Sequence, residues 1–220
     1  MSTIAIIGGT GPQGKGLGYR FAKGGHQVIL GSRSEERAVA AAGELDERVT
    51  GQGSVRGADN AKAAEAADLV LLAVPFEGHD ELVADLAPQL AGKVVISCVN
   101  PLGFDKQGPY GLDLGSSSAA ERAQELLPDS AVIGAFHHLS AVTLIGTADA
   151  LDHEDVLVCG DVAEAKEAVI ELATTVTGKP GIDAGRLRLA RQLEPLTAVL
   201  ISINKRYKTR SGIAVVGLGH

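Results

Sequence analysis

Residues 3–18 read TIAIIGGTGPQGKGLG, an apolar run that breaks into glycines. The apolar part predicts a buried strand, and the residues after the turn predict a helix over 12–23. Between them, Gly9, Gly11 and Gly14 have the spacing Gly-x-Gly-x-x-Gly. A tight strand-to-helix turn needs residues without a Cβ atom, and it lets the backbone and the helix amide groups approach a pyrophosphate. The stretch therefore predicts a dinucleotide-binding turn.

The same turn has two other interpretations. Gly9, Gly14 and Lys15 also fit the phosphate loop of nucleotide triphosphatases, Gly-x-x-x-x-Gly-Lys. The next residue is Gly16, where that loop needs a Ser or Thr hydroxyl for magnesium, and no apolar strand of the sequence ends in the Asp that would hold the metal. A purely structural glycine turn is the second alternative. The position between a predicted strand and a predicted helix favours dinucleotide binding over both.

Composition limits the classes of function. The chain has 220 residues, 45% of them hydrophobic, which suits one large domain or one domain with a small appendage. Its net charge of −7 disfavours a general binder of phosphate backbones. Aromatic residues make up 3% of the chain and Trp is missing, so the platforms on which nucleic-acid bases stack are scarce. We therefore expect small-molecule ligands and no nucleic acid.

The two cysteines and the first residues bear on the location of the protein. Cys98 and Cys159 are far apart without metal-binding spacing, so we expect no metal and a reducing compartment. The first residues enter a strand without a signal peptide, and no apolar run reaches about 18 residues. We expect a cytoplasmic protein without a membrane span.

A second informative stretch follows the second predicted strand and reads GSRSEER over 31–37. An enzyme that uses the unphosphorylated dinucleotide usually has Asp or Glu here, which binds the ribose hydroxyls and would repel a 2′-phosphate. Ser32, Arg33 and Arg37 can instead donate hydrogen bonds to phosphate, which favours NADP. Alternatively, Ser32 or Ser34 caps the next helix and the arginines are solvated. The two interpretations are compatible.

The alternation of strands and helices predicts the fold class. Apolar strands are predicted over 68–74, 93–98 and 131–135, with short connections to helices. This order indicates an α/β fold with a doubly wound, Rossmann-type parallel sheet. Ligands bind such sheets at the carboxyl ends of the strands, so Val74 and Pro75 are expected to contact the cofactor.

Weaker segments complete the pattern. A short polar strand is predicted over 53–56 and a last short strand over 212–217, while the glycines between 103 and 115 predict a long loop. After the strand that ends at residue 135, His137 and His138 reach the ligand edge. On a strand they would point to opposite faces, and no third ligand has convincing spacing, so we expect them to line the site rather than to bind zinc.

The C-terminal part predicts a small α/β extension dominated by one helix. The spacing of the leucines over 185–204 predicts this helix, with a bend near Pro195. Residues 205–210 then include four cations on an otherwise acidic chain. These cations are either a solvated helix end favoured by the helix dipole or a socket for an anionic ligand tail. We therefore divide the chain into a dinucleotide-binding domain over 1–150 and a small domain over 151–220.

Several stretches of the chain match one known family. They are GGTGPQGKGLG in the turn, HQVILGSR before the arginines, GKVVISCVNPL from Gly92, AFHHLSA from Ala135 and GIAVVG from Gly212. The most specific is DAGRLRLARQLEPLTAVLISINKRYK, from Asp183. Over almost its whole length the chain thus resembles the NADPH-dependent reductases of coenzyme F420, a deazaflavin. That family often has Asn-Thr or His-Thr at the position of the two adjacent histidines, so the role of the second histidine is left open.

The resemblance implies NADP(H) as cofactor, coenzyme F420 as substrate, and a role for each matched residue. By motif, the NADP-binding residues are Gly9, Thr10, Gly11, Pro12, Gln13 and Gly14 at the pyrophosphate, Ser32, Arg33 and Arg37 at the 2′-phosphate, and Val74, Pro75 and Ala135 along the nicotinamide half. His137, Leu196 and Thr197 would lie near the deazaflavin. We assign Arg206 and Lys208 of the cationic run to its phosphate and glutamate tail.

The side chains present bear on the mechanism. The sequence shows no Ser-His-Asp set, metal cluster or proton-relay pair, so we expect no catalytic side chain and a direct, reversible hydride transfer between the two coenzymes. The alternatives are an NADPH-dependent reductase of another acceptor, such as a flavin, a ferric chelate or an imine, and a non-catalytic NADP sensor. The resemblance and the apolar C-terminal helix also predict a homodimer.

Overall fold

The computed structural model describes residues 1–218, so the last two residues of the predicted C-terminal domain lie outside it. Within this range the strands are β1 (Thr3–Ile7), β2 (Gln27–Ser32), β3 (Ser54–Asp59), β4 (Leu69–Leu72), β5 (Val94–Ser97), β6 (Leu102–Asp105), β7 (Gly108–Gly111), β8 (Ala131–Gly134), β9 (Leu157–Gly160) and β10 (Ile182–Gly185). The helices are α1 (Pro12–Lys23), α2 (Glu35–Asp46), α3 (Asn60–Glu65), α4 (His79–Asp85), α5 (Ala87–Leu90), α6 (Ala119–Leu126), α7 (Ala141–Leu144), α8 (Ala163–Leu172), α9 (Thr174–Thr177) and α10 (Ala190–Tyr207).

Strand β1 lies inside an eight-stranded sheet with the order β10-β9-β8-β5-β4-β1-β2-β3. It pairs in parallel with β2 and with β4, and Ile4 is level with Val28 on one side and with Leu69 on the other. The pairing is parallel from β3 to β8, which confirms the predicted doubly wound fold. Strand β9 runs antiparallel to β8, and β10 is parallel to β9. The sheet is therefore mostly parallel rather than wholly parallel, an arrangement common at the edges of such sheets.

The sheet is buried on both faces. Along β1, Ile4 and Ile6 belong to one apolar core and Ala5 and Ile7 belong to the other, because successive side chains of a strand point to opposite faces. Helix α1, whose bounds match the predicted 12–23, contributes Phe21 to the first core. This two-sided burial explains why the opening stretch reads as an unbroken apolar run.

Two predictions of local structure were wrong. The segment predicted as a long loop over 103–115 contains the antiparallel hairpin of β6 and β7. This hairpin packs directly on α10, since a Cβ atom at Gly111 would lie 2.6 Å from the Cβ of Pro195. The segment 212–217, predicted as a strand, is irregular; its backbone is bonded instead to Asp155, which donates its N–H to Ile213 O at 2.7 Å. The predicted extension nevertheless adds β9 and β10 to the same sheet and contains the long helix α10, and the division at residue 150 stays a prediction.

Helix α10 is tied to α6 by a buried carboxyl group. Glu194 accepts the backbone N–H groups of Ala119 and Ala120 at 2.8 and 3.0 Å, in the first turn of α6. Burial raises the pKa of Glu194 to about 7, although the two backbone donors oppose this shift. Pro195 lies inside the helix as predicted. Among the described helices, none is both long and apolar enough to cross a membrane.

Candidate active site

The carboxyl ends of the parallel strands open onto one large cleft of about 1090 Å³. The glycine turn after β1 forms part of its wall, and residues at the ends of β2, β3, β4, β5 and β8 form further parts. Helix α10 closes one side with Thr197, Leu200, Ile201 and Asn204. Segments from both ends of the chain therefore build this site, which lies at the edge where open α/β sheets bind ligands.

The three glycines of the turn have different surroundings. Gly9 donates its N–H to Ile6 O at 3.0 Å and to Gly31 O at 2.9 Å, and a Cβ atom on it would lie 2.8 Å from Ile6 O. A Cβ atom on Gly14 would lie 2.7 Å from the Cα of Gly9. On Gly11 it would meet its nearest neighbour, Gly8 O, at 3.5 Å, an ordinary contact. Gly9 and Gly14 thus serve packing, whereas Gly11 lines the cleft together with Thr10, Pro12 and Gln13.

A fourth glycine, Gly8, also lines the cleft and was not predicted as a site residue. Its φ is +75°, and a Cβ atom there would lie 2.7 Å from Cγ1 of Val74. The sequence contained a signal for this role, because a glycine directly follows the apolar strand and glycine adopts a positive φ at little cost. Val74 and Pro75, both predicted, line the cleft directly beyond Gly8.

The segment after β2 contains both a helix cap and a cationic surface. Ser34 caps α2 by accepting the N–H of Arg37 at 3.3 Å, while Ser32 is buried, lines the cleft and accepts the N–H of Ser34 at 3.2 Å. Arg33 and Arg37 are exposed on the cleft wall, and neither has an ion-pair partner among residues 1–218. The capping and phosphate-binding interpretations therefore concern different atoms and are compatible here.

Asn60 is a cleft residue that the sequence prediction missed. It is 8% exposed, and its Oδ1 has no hydrogen-bond partner within the described part of the chain. A Cβ atom on Gly31 would lie 2.8 Å from this oxygen, so glycine is needed beside it. The polar strand was predicted to end at residue 56, whereas β3 continues to Asp59 and delivers Asn60 next to Ser32 at the ligand edge.

Opposite Arg33 and Arg37, the wall after β4 is acidic. Glu77, Glu81 and Asp85 are exposed, line the cleft, and follow one another at intervals of four residues. Glu81 and Asp85 lie one turn apart in α4 and share a face of it, whereas Glu77 precedes the helix. Sequence reasoning assigned no role to these carboxylates.

Both predicted histidines lie in the cleft, after an unusual backbone turn. Phe136 has a φ of +63°, rare for a bulky residue, and its buried ring meets Phe21 edge to face with centroids 5.6 Å apart. His137 is 3% exposed, and burial lowers its pKa to about 3. Neither of its ring nitrogens has a partner within residues 1–218. His137 therefore presents a neutral imidazole to the cleft.

The role left open for His138 is now visible. Its Nε2 lies 2.7 Å from Leu193 O, and since a carbonyl only accepts, Nε2 carries the proton. Burial lowers the pKa of His138, so this ring is neutral as well. The carbonyl of His137 accepts hydrogen bonds from Asn100 Nδ2 and Thr197 Oγ1, both at 3.0 Å. The bonds to Leu193 and Thr197 join the end of β8 to α10, and the bond from Asn100 joins it to the segment after β5.

Four other predicted residues are placed less directly. Ala135 is completely buried and donates its N–H to Ser97 O at 3.0 Å, below the cleft surface. Leu196 is half-buried beside Thr197 and is not among the cleft-lining residues. Lys208 lines a shallow depression of about 640 Å³ that shares Asn204 with the main cleft. Arg206 is exposed and faces neither cavity. The assignment of all four to ligands stays a prediction.

The cationic segment at the end of α10 is held at both ends. Oδ1 of Asn204 accepts the backbone N–H and the hydroxyl of Ser211 at 2.6 and 2.8 Å, which closes the intervening residues into a loop. Lys208 has φ 52° and ψ 44°, the left-handed conformation that ends many helices. Both Asn204 and Ser211 also line the main cleft. We call residues 205–210, which include the last three residues of α10, the cationic loop.

A glycine turn at the end of β1, a cationic wall after β2 and a cleft at the carboxyl edge together define a dinucleotide-binding protein of the doubly wound α/β class. Residues 3–101 match the family model described as NADP oxidoreductase, coenzyme F420-dependent. The chain is 40% identical to the F420-dependent NADP reductase of Methanothermobacter thermautotrophicus, over 98% of this chain and 95% of that protein. It is 37% identical to the enzyme of the same name from Methanocaldococcus jannaschii, over 98% of both chains. The protein belongs to the F420-dependent NADP reductase family.

A solved structure supports the same relationship. The crystal structure of a protein from Arthrobacter sp. FB24 superposes with a TM-score of 0.82 at 27% identity, covering 98% of this chain and 100% of that chain. The superposition includes the C-terminal extension, which lies beyond the matched family model.

The surroundings of the turn predict that two glycine substitutions change the free energy of unfolding by different amounts. Gly9→Ala would force a Cβ atom against the backbone of Ile6 and Leu30, so we expect the free energy of unfolding to fall by about 1–3 kcal/mol. Gly11→Ala meets no such contact and should change it by less than about 0.5 kcal/mol. Urea denaturation of the two variants measures the difference. Equal destabilisation would contradict the distinct roles given to these glycines.

Proposed function

We propose that this protein catalyses reversible, direct hydride transfer between NADP(H) and coenzyme F420, both bound in the cleft at the carboxyl edge of the sheet. The observation that carries the proposal is the composition of this single cleft. The cleft combines a dinucleotide turn with Arg33 and Arg37, which form no ion pair within residues 1–218. It also includes residues of α10, the helix that carries the stretch most typical of the family. The family membership supports the same pair of coenzymes.

The residues present fit NADP. The first turn of α1 has N–H groups without partners inside the helix, and Gly11 lets a pyrophosphate approach them. At the end of β2 and just beyond it, Ser32, Arg33 and Arg37 offer a hydroxyl and two guanidinium groups. The first carboxylate after this strand is that of Glu35, so none stands at the strand end, where it would repel a 2′-phosphate. Asn60 adds an amide whose oxygen is unpaired among the described residues.

The coenzymes supply the hydride donor and acceptor when bound, and the protein orients them. Val74, Val99, Leu139 and Leu200 line the inner cleft and exclude water from it. Neutral His137 has one ring nitrogen that donates and one that accepts, so it can hydrogen-bond to a ring carbonyl or a ring N–H without adding charge.

The cationic loop would receive the anionic tail of the deazaflavin. Within residues 1–218, Lys205, Arg206 and Lys208 form no ion pair in spite of the acidic net charge. The Asn204–Ser211 clamp keeps the loop beside the cleft, so that a ligand bound inside could extend its tail onto the loop.

We further propose a cytoplasmic homodimer. Exposed apolar side chains lie on α10, where Val199 is 51% exposed, and on the packed hairpin, where Phe104 is 68% exposed; a second copy could cover them. Cys98 and Cys159 are buried free thiols, which suits a reducing compartment.

The activity itself is tested with NADPH deuterated at the transferred position of the nicotinamide. Mixed with the protein and oxidised F420 in ordinary water, it should bleach the visible absorbance of F420, and mass spectrometry should find the deuterium on the reduced deazaflavin, because direct transfer does not exchange with solvent. No bleaching, with turnover on a flavin or a ferric chelate instead, would overturn the proposed acceptor. Protium at that carbon would overturn direct transfer.

Cofactor choice is tested by reversing one charge. Arg33→Asp should raise the KM for NADPH about ten- to hundredfold, because it replaces a donor to the 2′-phosphate by a repelling carboxylate, and should change the KM for NADH less than about threefold. Arg56→Asp is the matched control. It makes the same charge change at an exposed residue of β3 that does not line the cleft. A parallel loss with both cofactors would mean that the phosphate lies elsewhere.

The tail assignment is tested with two deazaflavins. The double variant Arg206→Ala, Lys208→Asn removes two charges, and Asn tolerates the left-handed backbone of position 208. We expect the KM for F420 to rise about tenfold while the KM for NADPH stays nearly constant. With a deazaflavin that lacks the phosphate and glutamates, variant and original protein should behave alike. An equal rise for both deazaflavins would contradict the assignment.

A further inference from the structure

We propose that Arg20, a buried residue of α1, is a positioning residue that sets the distance between the glycine turn and the α7 wall of the cleft. The proposal rests on the proposed function in one respect, namely that NADP(H) binds between these two walls. Arg20 has 0% exposure and does not line the cleft. It acts through the backbone of α7, which carries cleft residues at its start.

The guanidinium group of Arg20 donates four hydrogen bonds to one segment of the chain, residues 143–149. Nε donates to Leu144 O at 2.7 Å, and Nη2 donates to Thr143 O at 3.1 Å. Nη1 donates to Ala148 O at 2.8 Å and to Asp149 O at 3.0 Å. These acceptors lie 123 to 129 positions later in the chain. Arg20 therefore ties α1 to residues 143–149 across more than half of the sequence.

No carboxylate pairs with Arg20 within residues 1–218, so the carbonyl groups must stabilise its charge. A buried guanidinium is costly unless its donors are satisfied. The carboxylate of Asp149 acts only at longer range, since its salt bridge at 2.9 Å is to Lys23. An aliphatic side chain could fill this space without the cost of burying a charge. The presence of Arg therefore indicates that its hydrogen bonds serve to hold residues 143–149 in place.

One face of α1 contacts α7 and the segment that follows it from three positions. One turn before Arg20, a Cβ atom on Gly16 would lie 2.7 Å from the Cβ of Leu144, so α7 lies directly on the helix. One turn after Arg20, Lys23 pairs with Asp149. Gly16, Arg20 and Lys23 have helical spacing and therefore share a face. This face fixes one position for α7 rather than a range of positions.

Helix α7 places cleft residues at its start. Ser140 and Ala141 line the cleft, and Ser140 O accepts the N–H groups of Thr143 and Leu144. Thr143 O and Leu144 O in turn accept from Arg20. Pro12 and Gln13, at the start of α1, line the cleft on the other side. Arg20 thus holds the two walls in register through about two turns of α1 on one side and one turn of α7 on the other.

The test compares variants that differ in geometry and charge. Arg20→Lys keeps the charge but has one nitrogen for four carbonyl acceptors, and Arg20→Met keeps the aliphatic stem only. Arg48→Met is the control, because this exposed residue contacts the same segment through one hydrogen bond, to Ile145 O. NADPH affinity is measured by fluorescence titration well below each variant's melting temperature, and kcat and KM are measured for both coenzymes.

We expect Arg20→Lys to raise the Kd and the KM for NADPH about tenfold, while Arg48→Met should change them less than about twofold. Amide hydrogen exchange at residues 140–144 should become faster in Arg20→Lys at the same temperature. A purely structural role would lower the melting temperature and leave Kd, KM and kcat of the folded protein unchanged, and that result would overturn the inference. If Arg20→Met does not fold, Arg20→Lys alone decides.

The outcome separates this inference from the proposed function. If the original protein fails to bind NADPH in the titration, the proposed function is wrong. If the original protein binds NADPH and Arg20→Lys binds it equally well, only the positioning role is wrong.

Discussion

The backbone N–H of Gly9 is shared between the carbonyl oxygens of Ile6 and Gly31, and this contact joins the carboxyl ends of β1 and β2 without any side chain between them. The approach is so close that a Cβ atom at Gly9 or at Gly31 would meet backbone or amide oxygen at 2.8 Å. Gly14 then brings α1 onto the turn. The directions of Ser32, Asn60 and the first turn of α1 all follow from these contacts, so the nucleotide half of the cleft depends on one steric constraint.

Local patterns made this half of the site predictable. The glycine spacing, the apolar strand before it and the helix after it lie within residues 3–23, and each leaves a signal in consecutive residues. Ser32 and Arg33 were found because their position relative to a strand end is fixed by the fold. Of the two serines predicted as possible caps of α2, Ser32 and Ser34, Ser34 is the cap, since its hydroxyl accepts the N–H of Arg37. The order of elements was sufficient for the doubly wound class.

The other half depends on contacts between distant residues, which no local pattern reveals. His138 is bonded to Leu193, 55 positions later, and Arg20 to carbonyl groups more than 120 positions later. The hairpin of β6 and β7 was predicted as a loop because glycines dominate it, yet one of those glycines is the surface on which Pro195 packs. The reversed strand β9 has the same composition as a parallel one, so its direction could not be read from its residues.

The cleft also has an uneven distribution of charge. Its exposed rim has arginines on one wall and, on the other, the carboxylates Glu77, Glu81 and Asp85. Its buried floor includes His137 and His138, whose pKa values burial depresses, so both remain uncharged at neutral pH. For a ligand with neutral rings and ionised ends, the neutral floor therefore favours the rings and the charged rim favours the ionised ends. The low polarity of the floor, rather than the attraction of the rim alone, sets which part of such a ligand lies innermost.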